Sequence, residues 1–231
     1  VVDMAQLIRM EKNDENLPYG VVISGVLKRG DSRYVMIRKR HAKDLIENAV
    51  VATDSYSKTE RIKHMYDGIS CVVETDIRKC IEKLDASECD AVFVLLEDIK
   101  AARLHNSFLY RYTIMDYGEC VPVHGEGVYA MLTKGKKEAV RTARELSHKS
   151  TAECFEIEDD IISRVMQNVY VKTCDVYARI SSDRLEIYAD VTGNRGRIRV
   201  NERGTFVNKN LIITKLSLIH ISEPTRQAEI S

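Results

Sequence analysis

The stretch Tyr19–Arg40, YGVVISGVLKRGDSRYVMIRKR, decides how this chain is read. Two apolar runs, Val21–Leu27 and Tyr34–Ile37, flank the polar link Lys28-Arg29-Gly30-Asp31-Ser32. Glycine and aspartate between two β-like runs are turn chemistry, so the spacing predicts a β-hairpin with a sheet built around it. The hairpin ends in a basic block, Arg38-Lys39-Arg40-His41.

Before the hairpin, Met4, Leu7, Ile8 and Met10 recur at helical spacing and predict a short amphipathic helix over Met4–Glu11. After it, Leu45, Ile46, Ala49 and Val50 predict a helix within His41–Ala52. Ser57-Lys58-Thr59-Glu60 has the pattern of a capping box, opening a helix that stops at Gly68. Ile69–Glu74 reads as a strand, Asp76–Leu84 as a helix capped by Thr75, and Ala91–Leu96 as a strand buried on both faces. A short helix over Glu97–His105 and an alternating strand over Ser107–Tyr117 follow.

Gly118–Gly127 is loop-like, Val128–Leu132 a strand, and Lys136–Lys149 a helix. Cys154–Ile157 reads as a strand and Asp159–Gln167 as a helix. Beyond Asn168 the pattern is β throughout: Val169–Ile180, Arg184–Val191, Arg195–Val200 and Thr205 onward, with Gly193-Asn194 as a turn signal. Val72–Ile99 and Ala130–Ile161 share a strand–helix–strand plan ending in acidic residues, which matches either a duplication or two unrelated βαβ segments.

These elements place the chain in the α+β class: a mixed β-sheet with helices on one or both faces and a β-rich C-terminal part. A boundary near Gly118 divides it into residues 1–117, hairpin plus βαβ, and residues 118–215, βαβ then β-meander. A single mixed-sheet domain accommodates the pattern nearly as well. Residues 216–231 stand apart. LSLIHISEPTR (Leu216–Arg226) followed by QAEIS resembles a translated reading frame of a transposon-type sequencing-library adapter, which would make the chain a fragment. Without Arg226, Glu223 and Glu229, Lys+Arg falls from 35 to 34 and Asp+Glu from 35 to 33, a net charge of +1. The first residue is Val, so natural sequence is also expected before Val1.

Composition limits the function classes. Net charge is near zero, so bulk electrostatics selects no partner. No apolar run approaches the roughly 20 residues that span a bilayer, and no signal peptide is visible. The cysteines Cys71, Cys80, Cys89, Cys120, Cys154 and Cys174 contain no CxxC pair, which favours reduced thiols in a cytoplasmic protein. Lys134-Gly135-Lys136-Lys137 lacks the glycine spacing and the hydroxyl of a phosphate-binding loop, and Gly125-x-Gly127 lacks the third glycine of a dinucleotide fingerprint.

Three functions compete. Arg195, Arg197 and Arg199 alternate along one strand, and Arg38, Lys39 and Arg40 add a second basic block. Such rows suit the phosphates of a nucleic acid or another polyanion, and that binding module is the leading expectation. The second is a hydrolase or transferase with its site in Glu119–Gly127, where Cys120 and His124 have the chemistry of nucleophile and base and Glu126 adds a carboxylate. Cys120 and His124 could also ligate a metal with Asp116 or Glu126, but the spacing matches no metal motif and none is expected. The third is a structural assembly subunit with exposed strand edges. Glu97-Asp98 and Glu158-Asp159-Asp160 read as acidic helix starts that favour the helix dipole. No cofactor is implied.

Overall fold

The computed structural model describes residues 6–9, 17–42, 44–45, 47–134, 136–194, 196–208 and 210. The chain separates into two compact units, one of residues 1–29 with 121–231 and one of residues 30–120. It is an α+β protein with helices, mixed sheets and a β-rich C-terminal part. The tail from 216 lies outside the described residues.

The 30–120 unit is a five-stranded sheet in the order β5-β4-β6-β3-β7. Its strands are β3 (Tyr34–Lys39), β4 (Val50–Thr53), β5 (Ser70–Val73), β6 (Ala91–Leu95) and β7 (Tyr110–Ile114). β4 runs parallel to β5 and β6, while β3 is antiparallel to β6 and β7. The continuous apolar runs VFVL and YVMI occupy the two central strands because both faces are covered. On one face Ile62 of α1 (Tyr56–Lys63) packs with Tyr34, Val51, Phe93 and Leu95. On the other, Cys80, Ile81 and Leu84 of α2 (Ile77–Asp85) and Ile99 of α3 (Leu96–Ala101) pack with Val35, Ile37, Val92 and Val94. Burying each such aliphatic side chain stabilises by about 1.5–3 kcal/mol.

The other unit holds two antiparallel sheets. β8 (Tyr129–Thr133) lies between β1 (Gln6–Arg9) and β2 (Val22–Val26). α4 (Lys137–Leu146) packs over β2 closely enough that a Cβ on Gly25 would sit 2.4 Å from the Ala143 carbonyl oxygen, so only glycine fits there. The second sheet is a meander of β9 (Val171–Ser181), β10 (Arg184–Gly193) and β11 (Gly196–Thr205). Cys154, Ile157, Ile161 and Val165 line one face of α5 (Lys149–Val165) and pack on Cys174, Val176 and Ala178 of β9 and Leu185, Ile187, Ala189 and Val191 of β10.

Several expectations are corrected. The hairpin does not form: β2 joins the sheet of β8, and β3 joins that of β6 and β7. Tyr34–Ile37 is buried on both faces and takes a partner on each edge, which a two-stranded hairpin cannot supply. The expected helix at Met4–Glu11 contains the strand Gln6–Arg9. The expected helix in His41–Ala52 gives way to β4, where the β-branched pair Val50-Val51 meets parallel partners on both edges. Ser57 is inside α1 rather than capping it; Ser55 is the N-cap and makes no side-chain cap bond. Asp76, not Thr75, caps α2 by accepting from the Arg78 N–H. Cys154–Ile157 is helical, because the spacing 154, 157, 161, 165 outweighs the short run CFEI. The second half of the suspected repeat is therefore strand–helix–helix, and the duplication is absent.

Candidate functional site

The arginine rows were the leading candidate, and the register shows what they hold. β11 puts Arg197, Arg199 and Arg203 on the face of the meander that β10 shares through Glu186, Tyr188 and Asp190. Arg197 grips Asp190, with Nε 2.7 Å from Oδ1. Arg199 Nε is 3.5 Å from the same carboxylate. Arg203 and Arg179 both reach Glu186, at 3.8 and 2.6 Å. Asp190 is only 3% exposed, so the row is ion-paired across the sheet face, although Arg199 and Arg203 remain exposed. Arg195 lies outside the described residues. The other block is engaged too: Arg38 with Asp44 at 3.0 Å, Lys39 with the Asp85 carbonyl and Ser87 Oγ, and Arg40 with the Phe108 carbonyl at 3.2 Å.

The Glu119–Gly127 loop is split between the units. Cys120 is 1% exposed and belongs to the core of the 30–120 unit with Tyr34, Met36, Phe93 and Met115. Its N–H donates to the Asp116 carbonyl at 2.9 Å. Glu126 is buried in the other unit, and its N–H donates to the Val123 carbonyl. His124 has both ring nitrogens engaged: Nδ1 lies 3.2 Å from Glu158 and Nε2 lies 3.2 Å from Asp159. Its ring stacks on Phe155 at 4.7 Å.

Glu158 is the centre of this arrangement, and it sits in mid-helix rather than at a helix start. Its carboxylate is fully buried. It accepts from Arg29 through both guanidinium nitrogens, at 2.5 and 2.9 Å, and from the Ala178 N–H at 2.8 Å. Arg29 in turn lies over the Tyr177 ring at 4.8 Å, and its N–H donates to Thr151 Oγ1 at 3.0 Å. Burial opposes ionisation of Glu158, but the charge of Arg29 and the bonds from His124 and Arg29 outweigh it and hold the carboxyl below its ordinary range. Burial likewise disfavours charging His124, but its hydrogen bonds to Asp159 and Glu158 prevail and raise it to about 9. Near neutral pH the cluster is therefore two cations facing two carboxylates. A sequence signal for Glu158 existed: it falls on the apolar face of α5, four residues after Cys154 and three before Ile161. A carboxylate at such a position is buried with a partner.

The 30–120 unit has a second polar region. β4 and β6 are neighbouring parallel strands, followed by helices on opposite faces of the sheet, α1 and α3. That is a topological switch point, where open α/β sheets bind ligands at the strands' carboxyl ends. Here Thr53 is fully buried and its Oγ1 has no hydrogen-bond partner, while α1 begins without a side-chain cap or an acidic residue in its first turn. Thr53 alternates with Val51 and so lies on the α1 side of the sheet. The cations of this end are held by the chain itself. Both Asp54 oxygens bind Lys58, at 2.7 and 2.9 Å, and Asp31 binds Arg33 at 2.8 Å and Lys100 at 3.2 Å. Glu74, Asp76, Glu97 and Asp98 follow the strands β5 and β6.

Comparison with known proteins supplies what the site alone does not. Residues 10–142 match the family described as "Porphobilinogen deaminase, dipyromethane cofactor binding domain". The chain is 24% identical over 192 residues to the porphobilinogen deaminase of Chlorobium luteolum, covering 81% of this chain and 60% of that protein. It is 23% identical over 178 residues to that of Clostridium acetobutylicum, covering 75% and 60%. A probable porphobilinogen deaminase of Picrophilus torridus is 23% identical over 176 residues. The chain thus spans about 60% of the length of these curated relatives. Among solved structures it resembles an amino acid transporter substrate-binding protein of Streptococcus pneumoniae at a TM-score of 0.40 and 16% identity, over 58% of this chain and 57% of that one, too loosely to bear on function. The family match overturns the expectation of a nucleic-acid or polyanion binding module, and with it that partner: the relatives are enzymes.

Proposed function

This chain belongs to the porphobilinogen deaminase family, and from that membership we propose that it is part of an enzyme that handles a carboxylate-bearing pyrrole, with release of ammonia from porphobilinogen as the reaction to test. The observation that carries the proposal is the match over residues 10–142, which includes the whole 30–120 unit. Within that unit the switch point supplies a place for one carboxylate arm. The Thr53 hydroxyl is a donor without a hydrogen-bond partner, α1 begins without a side-chain cap, and the helix dipole favours a negative group there. Among the described residues no helix is long and apolar enough to cross a membrane. A cytoplasmic location, where the unpaired thiols stay reduced, belongs to the same reading.

The family description also names a dipyrromethane, two linked pyrrole rings, and the described residues do not fit covalent attachment of such a group. Covalent capture requires a reachable nucleophile, and a thiolate is the strongest side-chain choice. Five of the six cysteines are buried and Cys71 is partly buried. Burial pushes the Cys80 thiol up to about 12 and the Cys154 thiol up to about 11, and raises Cys71 and Cys89 as well. Several carboxylates would also meet a switch point whose cations Lys58, Arg33 and Lys100 are already paired. No step is therefore routed through that group.

The test is an assay of the full chain with porphobilinogen, following ammonia release and binding heat. Thr53→Val keeps the shape and removes the hydroxyl. It is expected to raise KM or Kd roughly tenfold with little change in kcat, the effect of about one lost hydrogen bond to a charged group. A folded wild-type protein that neither binds porphobilinogen nor releases ammonia would refute the proposal.

A further inference from the structure

The chain passes between its two units twice, at Arg29–Gly30 and at Cys120–Val121. Each passage is flanked by a residue held by the same side chain. Arg29 is the last residue before the first passage, and both of its terminal guanidinium nitrogens bind Glu158. His124 stands three residues after the second passage, and its Nδ1 binds Glu158 Oε2. Glu158 is itself fixed in the interior of α5, and its Oε1 also accepts from the Ala178 backbone of β9. One buried carboxylate thus joins a helix, a sheet strand and both crossing segments.

We propose that Glu158 is a joint clamp: it fastens both crossing segments to the α5–β9 framework, so that loosening this one side chain frees both ends of the 30–120 segment together. Neighbouring contacts grade the two arms. The Arg29 arm has additional support, from the Thr151 hydroxyl on its backbone and from the Tyr177 ring beneath its guanidinium. The His124 arm has the Phe155 stack and the exposed Asp159 carboxylate, and it carries one bond to Glu158 where Arg29 carries two. The His124 arm is therefore the weaker one and opens first. This inference concerns only how the chain is fastened and holds whether or not porphobilinogen is the substrate.

Hydrogen exchange of the full chain, resolved by peptide, tests it. The reporters are amides in both crossings: Leu27 and Arg29, bonded to Tyr129 and Thr151, and Cys120, Glu126 and Val128, bonded to Asp116, Val123 and Gly125. Glu158→Gln is expected to speed exchange about tenfold or more in both crossings, because the ion pairs with Arg29 and His124 are lost and the amide keeps only one accepting oxygen for donors that now meet two. β6 of one unit and β10 of the other should keep their protection. His124→Gln should speed exchange across 119–127 alone. Where Glu158→Gln does not fold, Asp159→Asn replaces it as the probe and must loosen 119–127 while leaving 24–32 unchanged. The proposal is overturned if Glu158→Gln frees one crossing only, if His124→Gln or Asp159→Asn frees both or neither, or if exchange rises evenly through β9 and β10.

Discussion

Replacing Glu158 together with Arg29 should destabilise its unit by clearly less than the two single replacements added together. The Arg29 side chain is 8% exposed and that of Glu158 0% exposed, so neither can recover hydration while the fold stands. Glu158→Leu strands the guanidinium in an apolar site and also unpairs the Ala178 N–H. Loss of one partner from a buried pair costs about 3–5 kcal/mol. Arg29→Met should cost less, about 2–3 kcal/mol, because His124 and the Ala178 N–H still face the carboxylate. In the double variant no charge is left unpaired between the two positions, and two apolar side chains fill the volume. Its cost should fall below the sum of the singles by at least about 2 kcal/mol, a coupling expected of residues in direct contact. A small domain has only about 5–15 kcal/mol of stability in total, so Glu158→Leu falls within easy reach of a urea titration. Because the chain has two units, the readout should be exchange protection of peptides in β9 and β10 rather than a single global signal. If the double variant costs the sum of the singles within about 0.5 kcal/mol, the pair is not coupled and its role as an anchor is wrong.

Two further outcomes follow from the same geometry. His124 has a folded pKa raised to about 9, above its ordinary value of about 6.5, so its contribution is whole below about pH 6.5 and is lost as pH rises through about 9. The shift corresponds to at most about 3 kcal/mol; the melting temperature of the wild type should therefore fall more steeply between pH 7 and 10 than that of His124→Gln, and parallel slopes would contradict the assignment. The full chain, produced with porphobilinogen supplied, should have the intact mass of its sequence, because no described cysteine is an exposed thiolate; a pyrrole adduct on the peptide that holds Cys71, the least buried thiol, would reverse that conclusion.

Elements whose evidence is local were legible in the sequence. α2 shows Ile81 and Leu84 of its apolar stripe within one short window, although its cap is Asp76 rather than the expected Thr75. β6 shows a run too apolar for any exposed face. The meander shows alternation with a glycine turn between β10 and β11. The errors fall where a distant partner decides. Val22–Val26 is strand-like in isolation, but whether it pairs with the next strand or with β8, more than a hundred residues away, depends on β8 offering it an edge. β4 carries apolar residues upstream at near-helical spacing and becomes a strand only because β5 and β6 stand on either side.

The arginine row was misread for the same reason, and the physical logic of charge explains how. A row of arginines on a strand is legible from alternation alone, yet its meaning lies in the neighbouring strand. Register sets Asp190 opposite Arg199 and diagonal to Arg197, and it sets Glu186 opposite Arg203. Cations that face such partners are neutralised within the sheet and lose the field that would draw a polyanion. Conversely, Glu158 looked like one member of an acidic helix start, the least informative setting for a carboxylate. Its position on the apolar stripe of α5 is what distinguishes it. A charge at that spacing must be buried, and a buried charge must find a counter-charge from elsewhere in the chain. Its counter-charge comes from Arg29, in the link after β2. The link that first looked like a turn is thus better understood as the place where a buried carboxylate holds the chain.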